Sequence, residues 1–241
     1  MRVFGRSDKG RVRASNQDAY VCGRLSDTML YAVVCDGMGG ARGGNVASAL
    51  AVKAIAERIA GGYRENMTTQ SVRYVLESAI AAANVEVFDT AKEDADLQGM
   101  GTTVVAAVVC GQNAVVAHVG DSRAYLVTGT GIEQVTRDHS LVQEMVERGR
   151  LTQSEAKNHP RKHFITRALG VEDTVECDIN EVEIPSEGEL LICTDGLTNM
   201  VETEEIFRIA RSTPPEDAAD RLISTANMAG GSDNITVALI A

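Results

Sequence analysis

Five aspartates of this chain occupy one kind of position, at the end of an apolar run or beside a turn. Val33-Val34-Cys35 leads into Asp36-Gly37, Ala117-His118-Val119-Gly120 into Asp121-Ser122, and Leu191-Ile192-Cys193-Thr194 into Asp195-Gly196. Gly230-Gly231-Ser232 precedes Asp233-Asn234, which opens another apolar run, and Ser15-Asn16-Gln17 precedes Asp18. Taken singly, each is ordinary turn chemistry, for which Asp and Gly are favoured. Taken together they have a second meaning. If the runs are strands whose ends converge, the carboxylates meet, and clustered carboxylates resist ionisation unless a cation sits between them. An all-oxygen donor set suits Mg²⁺, Mn²⁺ or Ca²⁺. Zinc has no support, since none of the five cysteines forms a Cys-x-x-Cys pair.

Two further features could meet a phosphate. Arg13 lies close to Asn16-Gln17-Asp18, and a guanidinium suits bidentate phosphate binding, although a lone Arg is also an ordinary surface residue. The segment Asp36-Gly37-Met38-Gly39-Gly40-Ala41-Arg42-Gly43-Gly44 follows a strand candidate and precedes a helix candidate, as phosphate-binding loops do. It has neither the Gly-Lys-Ser/Thr of a Walker A loop nor GxGxxG spacing, so it supports nucleotide binding poorly. Its glycines would let backbone carbonyls and amides approach an ion or phosphate closely.

The elements that must carry these residues are short. Apolar, β-branched runs predict strands at Tyr31–Cys35, Thr102–Cys110, Ala114–Val119, Ala124–Val127, Glu189–Thr194 and Asn234–Ile240. Gly111-Gln112-Asn113 and Gly129-Thr130-Gly131 read as hairpin turns. Helical spacing predicts helices at Asn45–Ala60, Thr69–Thr90, Ser140–Arg148, Thr203–Arg211 and Pro215–Met228, the last capped near Ser212 or Thr213. Four successive strands with short turns break the βαβ alternation of a parallel sheet. The expectation is an α+β fold, with antiparallel sheet covered by helices.

Composition narrows the function. The chain has 241 residues and no linker, repeat or low-complexity tract, so one domain over residues 1–241 is expected. A formal net charge of −11 gives no general attraction for nucleic acid or anionic membranes. With 44% apolar residues, it is too apolar for intrinsic disorder. No apolar run reaches the ~20 residues of a membrane span, and the first residues do not read as a signal peptide. A cytoplasmic location follows as an expectation. Cys35, Cys110 and Cys193 lie in or at the end of apolar runs and read as small buried hydrophobes.

In order along the chain, these motifs resemble the metal-dependent, PP2C-type protein phosphatases, in the form of the bacterial branch. The motifs are Arg13-x-x-Asn16-Gln17-Asp18, Val34-Cys35-Asp36-Gly37-Met38-Gly39-Gly40 and Met100-Gly101-Thr102-Thr103. After them come His118-Val119-Gly120-Asp121-Ser122-Arg123-Ala124-Tyr125, Thr136-Arg137-Asp138-His139-Ser140, Leu191-Ile192-Cys193-Thr194-Asp195-Gly196-Leu197 and Gly231-Ser232-Asp233-Asn234-Ile235-Thr236-Val237. The resemblance implies a β-sandwich of two antiparallel sheets flanked by helices, with a dinuclear Mn²⁺/Mg²⁺ centre. It implies hydrolysis of phosphoserine and phosphothreonine in proteins by a metal-activated water. The implied substrates are phosphoproteins of a bacterial Ser/Thr kinase, and the chain is expected to be a monomer.

Residue by residue, the resemblance makes Asp36 the carboxylate shared by both metals and the Gly37 carbonyl a ligand of one. Asp195 and Asp233 would hold the other. Asp18 would contact water on the metals, and Arg13 would bind the substrate phosphate. A third ion is implied at Asp121 with Asp195, with Asp138 a weaker candidate. The sequence departs from the animal enzymes at Met38, where they carry a proton-donating His, and at Gln17, where they carry a carboxylate. His139 and His163 are the alternative proton donors. Residues 142–167 would form a flap beside the site, locally basic through Arg148, Arg150, Lys157, Arg161, Lys162 and Arg167.

Overall fold

The computed structural model describes residues 1–241, apart from the side chain of Ala41. Eleven strands form two antiparallel sheets. The first has the order β1 (Val3–Asp8), β11 (Ile235–Ile240), β10 (Glu189–Cys193), β7 (Arg123–Val127), β8 (Ile132–Gln134). The second has the order β2 (Asp18–Arg24), β3 (Met29–Met38), β5 (Val104–Cys110), β6 (Asn113–Val119), β9 (Asp178–Glu183), with the two-residue β4 (Gly101–Thr102) paired to the end of β3. Helices α1 (Gly40–Gly62) and α2 (Thr69–Glu93) connect β3 to β4. Two short helices, α3 (Leu141–Glu147) and α4 (Gln153–Lys157), follow β8. The single turn α5 (Asp195–Thr198) follows β10, and α6 (Thr203–Ser212) and α7 (Pro215–Met228) precede β11.

The central strands are apolar throughout because both of their faces are covered. On β3, Met29, Val33 and Cys35 join the core beneath α1 and α2, whereas Leu30, Ala32 and Val34 point into the space between the sheets. β5 divides in the same way, Val104, Ala106 and Val108 against Val105, Ala107 and Val109. On β11, Ile235, Val237 and Leu239 face α6 and α7, and Ala238 and Ile240 face the other sheet. The period of two thus builds three cores in a helix–sheet–sheet–helix stack. Each fully buried Val, Leu or Ile contributes ~1.5–3 kcal/mol.

Both expected hairpins form: Cys110 pairs with Asn113, and Val127 with Ile132. α1 starts at Gly40 rather than Asn45, because its glycines are packed rather than looped. A Cβ on Gly44 would lie 2.7 Å from the Gly37 oxygen, and one on Gly37 would lie 2.0 Å from the Gly44 oxygen. Only this Gly–Gly contact lets the helix start press on the end of β3. The expected cap of α7 also differs. Pro214 takes the N-cap position with no side-chain hydrogen bond, and Pro215 begins the helix. No helix is long and apolar enough to cross a membrane among the described residues.

Candidate metal centre

Strand ends from both sheets deliver the aspartates to one edge of the sandwich. Asp18 begins β2 and stands opposite Asp36 of β3 in the antiparallel ladder. Asp195 follows β10, Asp233 precedes β11, and Asp121 follows β6. All five are half-buried, and each bears electrostatically on others of the group.

Burial and the neighbouring Asp18, Asp195, Asp121 and Asp233 push the Asp36 carboxyl far above the usual carboxylate range. Asp121 is raised by burial, then by Asp195 and Asp138, against Arg123. Burial, then Asp233, raises Asp195, against His163 and the Asn199 hydrogen bond. Asp18 is pushed up to about 7 by burial, helped by Asp195 and Asp233 and opposed by hydrogen bonds from Thr236 and Thr194. This mutual resistance to ionisation is what a divalent cation reverses. Two of the oxygens, Asp18 Oδ1 and Asp195 Oδ1, are buried without any protein hydrogen-bond partner. Buried carboxylate oxygens are normally paired. Their lack of partners, with a donor set made only of oxygen, fits hard divalent metals.

The backbone beneath the cluster is pinned. Thr103 N–H donates to Asp36 O at 2.9 Å, and Asp36 N–H donates to Thr103 Oγ1 at 3.0 Å. The Thr102 hydroxyl adds a bond to Asp36 O at 2.8 Å, and Thr103 Oγ1 lies 2.7 Å from Ser122 Oγ, beside Asp121. The Met100-Gly101-Thr102-Thr103 motif therefore clamps Asp36 and ties it to the Asp121 turn. Asn234 staples the other side. Its Oδ1 accepts Gln17 N–H at 2.8 Å, and its amide donates to Lys9 O and Ser15 O at 2.9 Å each.

Arg13 is half-exposed and donates from Nη2 to Asp233 Oδ2 at 2.7 Å. Gln17 donates from Nε2 to Gly40 O at 3.1 Å. Asp138 does not present a free carboxylate. Arg123 grips it with Nε 2.9 Å from Oδ1 and Nη2 2.7 Å from Oδ2, and Gln134 Nε2 donates to Oδ1 at 2.8 Å.

His139 is likewise committed. Its Nδ1 accepts Gly120 N–H at 3.2 Å, its own N–H donates to Gly120 O at 2.9 Å, and its Nε2 lies 3.3 Å from Asp178 Oδ2. His118, His139 and Asp178 place ligand atoms within 4.8 Å of one another. Arg167 already occupies that group, with Nη1 2.9 Å from Asp178 Oδ1 and 3.3 Å from His139 Nε2. The two imidazoles stack, centroids 4.7 Å apart and planes at 19°, so their in-plane lone pairs run side by side instead of converging. Burial lowers the pKa of both rings. These residues brace the Gly120–Asp121 turn from below.

The segment expected as a flap is closed at its neck. Ser140 and Ile165 form an antiparallel bridge, and Thr166 N–H donates to His139 O at 2.8 Å. A cleft of about 400 Å³ runs from Asp121 and Asp195 beneath it, past Gln143, Lys157 and Lys162. Half of the expected basic patch is neutralised. Arg148 pairs with Glu144, Lys157 with Glu202 and Arg167 with Asp178.

Comparison with known proteins agrees with this geometry. The family model described as "Protein phosphatase 2C" matches residues 8–230. A "Serine/threonine phosphatase stp" of Listeria innocua is 42% identical, over 98% of this chain and 93% of its own. "Protein phosphatase PhpP" of Streptococcus pneumoniae is 38% identical, over 97% of this chain and 94% of its own. The solved serine/threonine phosphatase of S. agalactiae superposes with a TM-score of 0.91 at 34% identity, covering 99% of this chain and 98% of that one. The catalytic domain of the phosphatase PstP, solved with two manganese ions, superposes with a TM-score of 0.86 at 34% identity, covering 99% and 96%. With its two antiparallel sheets, flanking helices and seven ordered motifs, the chain belongs to the protein phosphatase 2C family.

Proposed function

We propose that this PP2C-type serine/threonine phosphatase hydrolyses phosphothreonine and phosphoserine in proteins at the aspartate cluster, with residues 1–241 working as one catalytic unit. The observation that carries the reading is the convergence of five aspartates, two of them with buried oxygens that no protein group satisfies. In this reading Asp36, the Gly37 carbonyl, Asp195 and Asp233 would hold two Mn²⁺ or Mg²⁺ ions, and Asp121 with Asp195 would hold a third. Bound metals would supply a water acidic enough to deprotonate near neutral pH and a clamp on the phosphoryl oxygens.

The chain's own residues do the rest. Asp18 Oδ1, buried with no protein hydrogen bond, would orient water at the cluster. Arg13 binds the phosphoryl group and offsets the charge that grows on it during transfer. Met38 cannot donate a proton to the leaving alkoxide, and His139 has both ring nitrogens engaged. His163 is exposed on the flap, and its charge bears on Asp195. It is therefore the histidine available to the leaving group.

The substrates in this reading are phosphoproteins made by a bacterial Ser/Thr kinase, met in the cytoplasm by a monomeric enzyme. The test is release of phosphate from a phosphothreonine peptide. Release should require Mn²⁺ or Mg²⁺ and stop on chelation. Equal release with and without chelator would overturn the reading.

A further inference from the structure

The buried hydroxyls beneath Asp18 form a network whose direction is fixed by proton count. Thr194 and Thr236 are fully buried, so their hydroxyls must find partners inside the protein. Thr194 Oγ1 accepts Thr236 N–H at 2.9 Å, and its single proton then goes to Asp18 Oδ2, 2.9 Å away. Thr236 Oγ1 lies 2.7 Å from the same Oδ2 and gives its proton there. With that proton committed, Thr236 can only accept from Ser7 Oγ at 2.8 Å. Ser7 Oγ in turn accepts from Asn16 Nδ2 at 2.7 Å, and Asn16 Oδ1 accepts Asp18 N–H at 3.2 Å. Each hydroxyl has one proton and each is used once.

The network has two consequences. It joins the sheets, because Asp18 belongs to β2, whereas Thr236 and Ser7 belong to β11 and β1 and Thr194 follows β10. It also treats the two oxygens of Asp18 differently. Oδ2 takes two hydroxyl protons, and Oδ1 is buried with none. A carboxylate held by one oxygen through two converging donors has its rotation fixed, so the other oxygen keeps a set direction.

Resting on the two-metal reading, we propose that Thr194 and Thr236 are positioning residues of the metal centre: their hydroxyls hold Asp18 by Oδ2 so that Oδ1 faces the aspartate cluster. They touch neither substrate nor metal. They act through Asp18, as groups outside the ligand set do when they orient a ligand or its water.

The test measures Mn²⁺ binding by calorimetry on the full chain, with melting curves and phosphopeptide turnover alongside. Thr236→Val removes the hydroxyl at nearly constant volume. It should weaken Mn²⁺ binding by about tenfold, the lower end of what removing such outer groups costs. Thr236→Ser should restore binding to within about threefold, since it returns the donor. Thr194→Val, which removes the other hydroxyl, is the independent variant should Thr236→Val not fold.

The deciding measurement is a double-mutant cycle. In an Asp18→Ala background, Thr236→Val should cost no further Mn²⁺ affinity, because the carboxylate it holds is gone. An equal loss in both backgrounds would make the threonine a general packing residue and overturn the proposal. So would a Thr236→Val chain that binds Mn²⁺ as tightly as its parent. A parent chain that takes up no Mn²⁺ at all would overturn the metal-centre reading, and the proposal with it.

Discussion

Arg13 and Asp233 form an ion pair, Nη2 to Oδ2 at 2.7 Å, so the cation assigned to phosphate rests on a carboxylate assigned to metal. Among the described residues, only Asn234 N–H also reaches the Asp233 carboxylate, at Oδ1. Arg13→Ala should therefore act in two directions. Loss of a charge-assisted phosphate contact should lower kcat/KM on a phosphothreonine peptide by an amount on the order of 1.5–3 kcal/mol, mostly through KM. Mn²⁺ should bind at least as tightly as in the parent, because a competing cation has left Asp233. Weaker Mn²⁺ binding by calorimetry would show instead that Arg13 holds Asp233 in position.

Asp36 faces Asp18 across the β2–β3 ladder, and its backbone is gripped by Thr102 and Thr103. Asp36→Asn should keep that backbone and remove one negative charge from a repelling cluster. Phosphatase activity should fall by several orders of magnitude, since the shared ligand is lost. Without metal, the melting temperature should hold or rise. The stabilisation that Mn²⁺ gives the parent through preferential binding to the folded state should disappear. A variant that keeps both near-parental turnover and the Mn²⁺-induced melting shift would remove Asp36 from the centre.

The strands legible in the sequence are the interior ones. β3, β5, β6, β7, β10 and β11 are apolar enough to stand out, because two layers cover them. The four strands that periodicity does not reveal, β1, β2, β8 and β9, are the four sheet edges. Val3–Asp8 and Asp178–Glu183 carry charges, as edge strands do when they avoid pairing with other chains. Asp18 was therefore found as a residue, but not as the first residue of a strand paired with Asp36. The carboxylates were legible because each borders an apolar run or a turn. The groups that hold them were not. Thr103, Thr194, Thr236 and His139 have partners 19 to 229 positions away in the chain where their bonds are long-range, and local spacing carries no trace of such contacts.

Glu189 is a buried carboxylate at the far end of β10, with Oε2 unpartnered. Burial raises its pKa above the usual glutamate value, against the attraction of Arg211. A raised carboxylate is better accommodated protonated. The folded state therefore binds the proton more tightly than the unfolded chain does. That contribution is complete below the unfolded pKa and is lost as pH rises through the higher folded one. Glu189→Gln should stabilise the chain at neutral pH by about 1 kcal/mol and flatten the loss of stability above pH ~4.5. Melting temperatures across that range check it. A parallel pH profile in both proteins would place the sensitivity elsewhere.

Asp121 and Asp138 both line the same cleft, yet they are bound differently. Asp138 is locked by the Arg123 fork and Gln134, whereas among the described residues no other residue hydrogen-bonds the Asp121 carboxylate, which is pressed by burial and by Asp195. A third ion held by Asp121 and Asp195 would have few protein ligands and mostly water, so it should bind weakly. Asp121→Ala should leave the two central ions, whose ligands are intact, and remove the weak one. Phosphoprotein turnover should drop, and its Mn²⁺ dependence should lose the low-affinity phase. Asp138→Asn should leave that phase unchanged. It breaks the half-buried Arg123 pair and should lower stability by on the order of 1–3 kcal/mol. Manganese titrations of activity run beside thermal melts separate the two. If Asp121→Ala lowered the melting temperature and left the manganese titration unchanged, Asp121 would belong to the Gly120 turn and not to a metal.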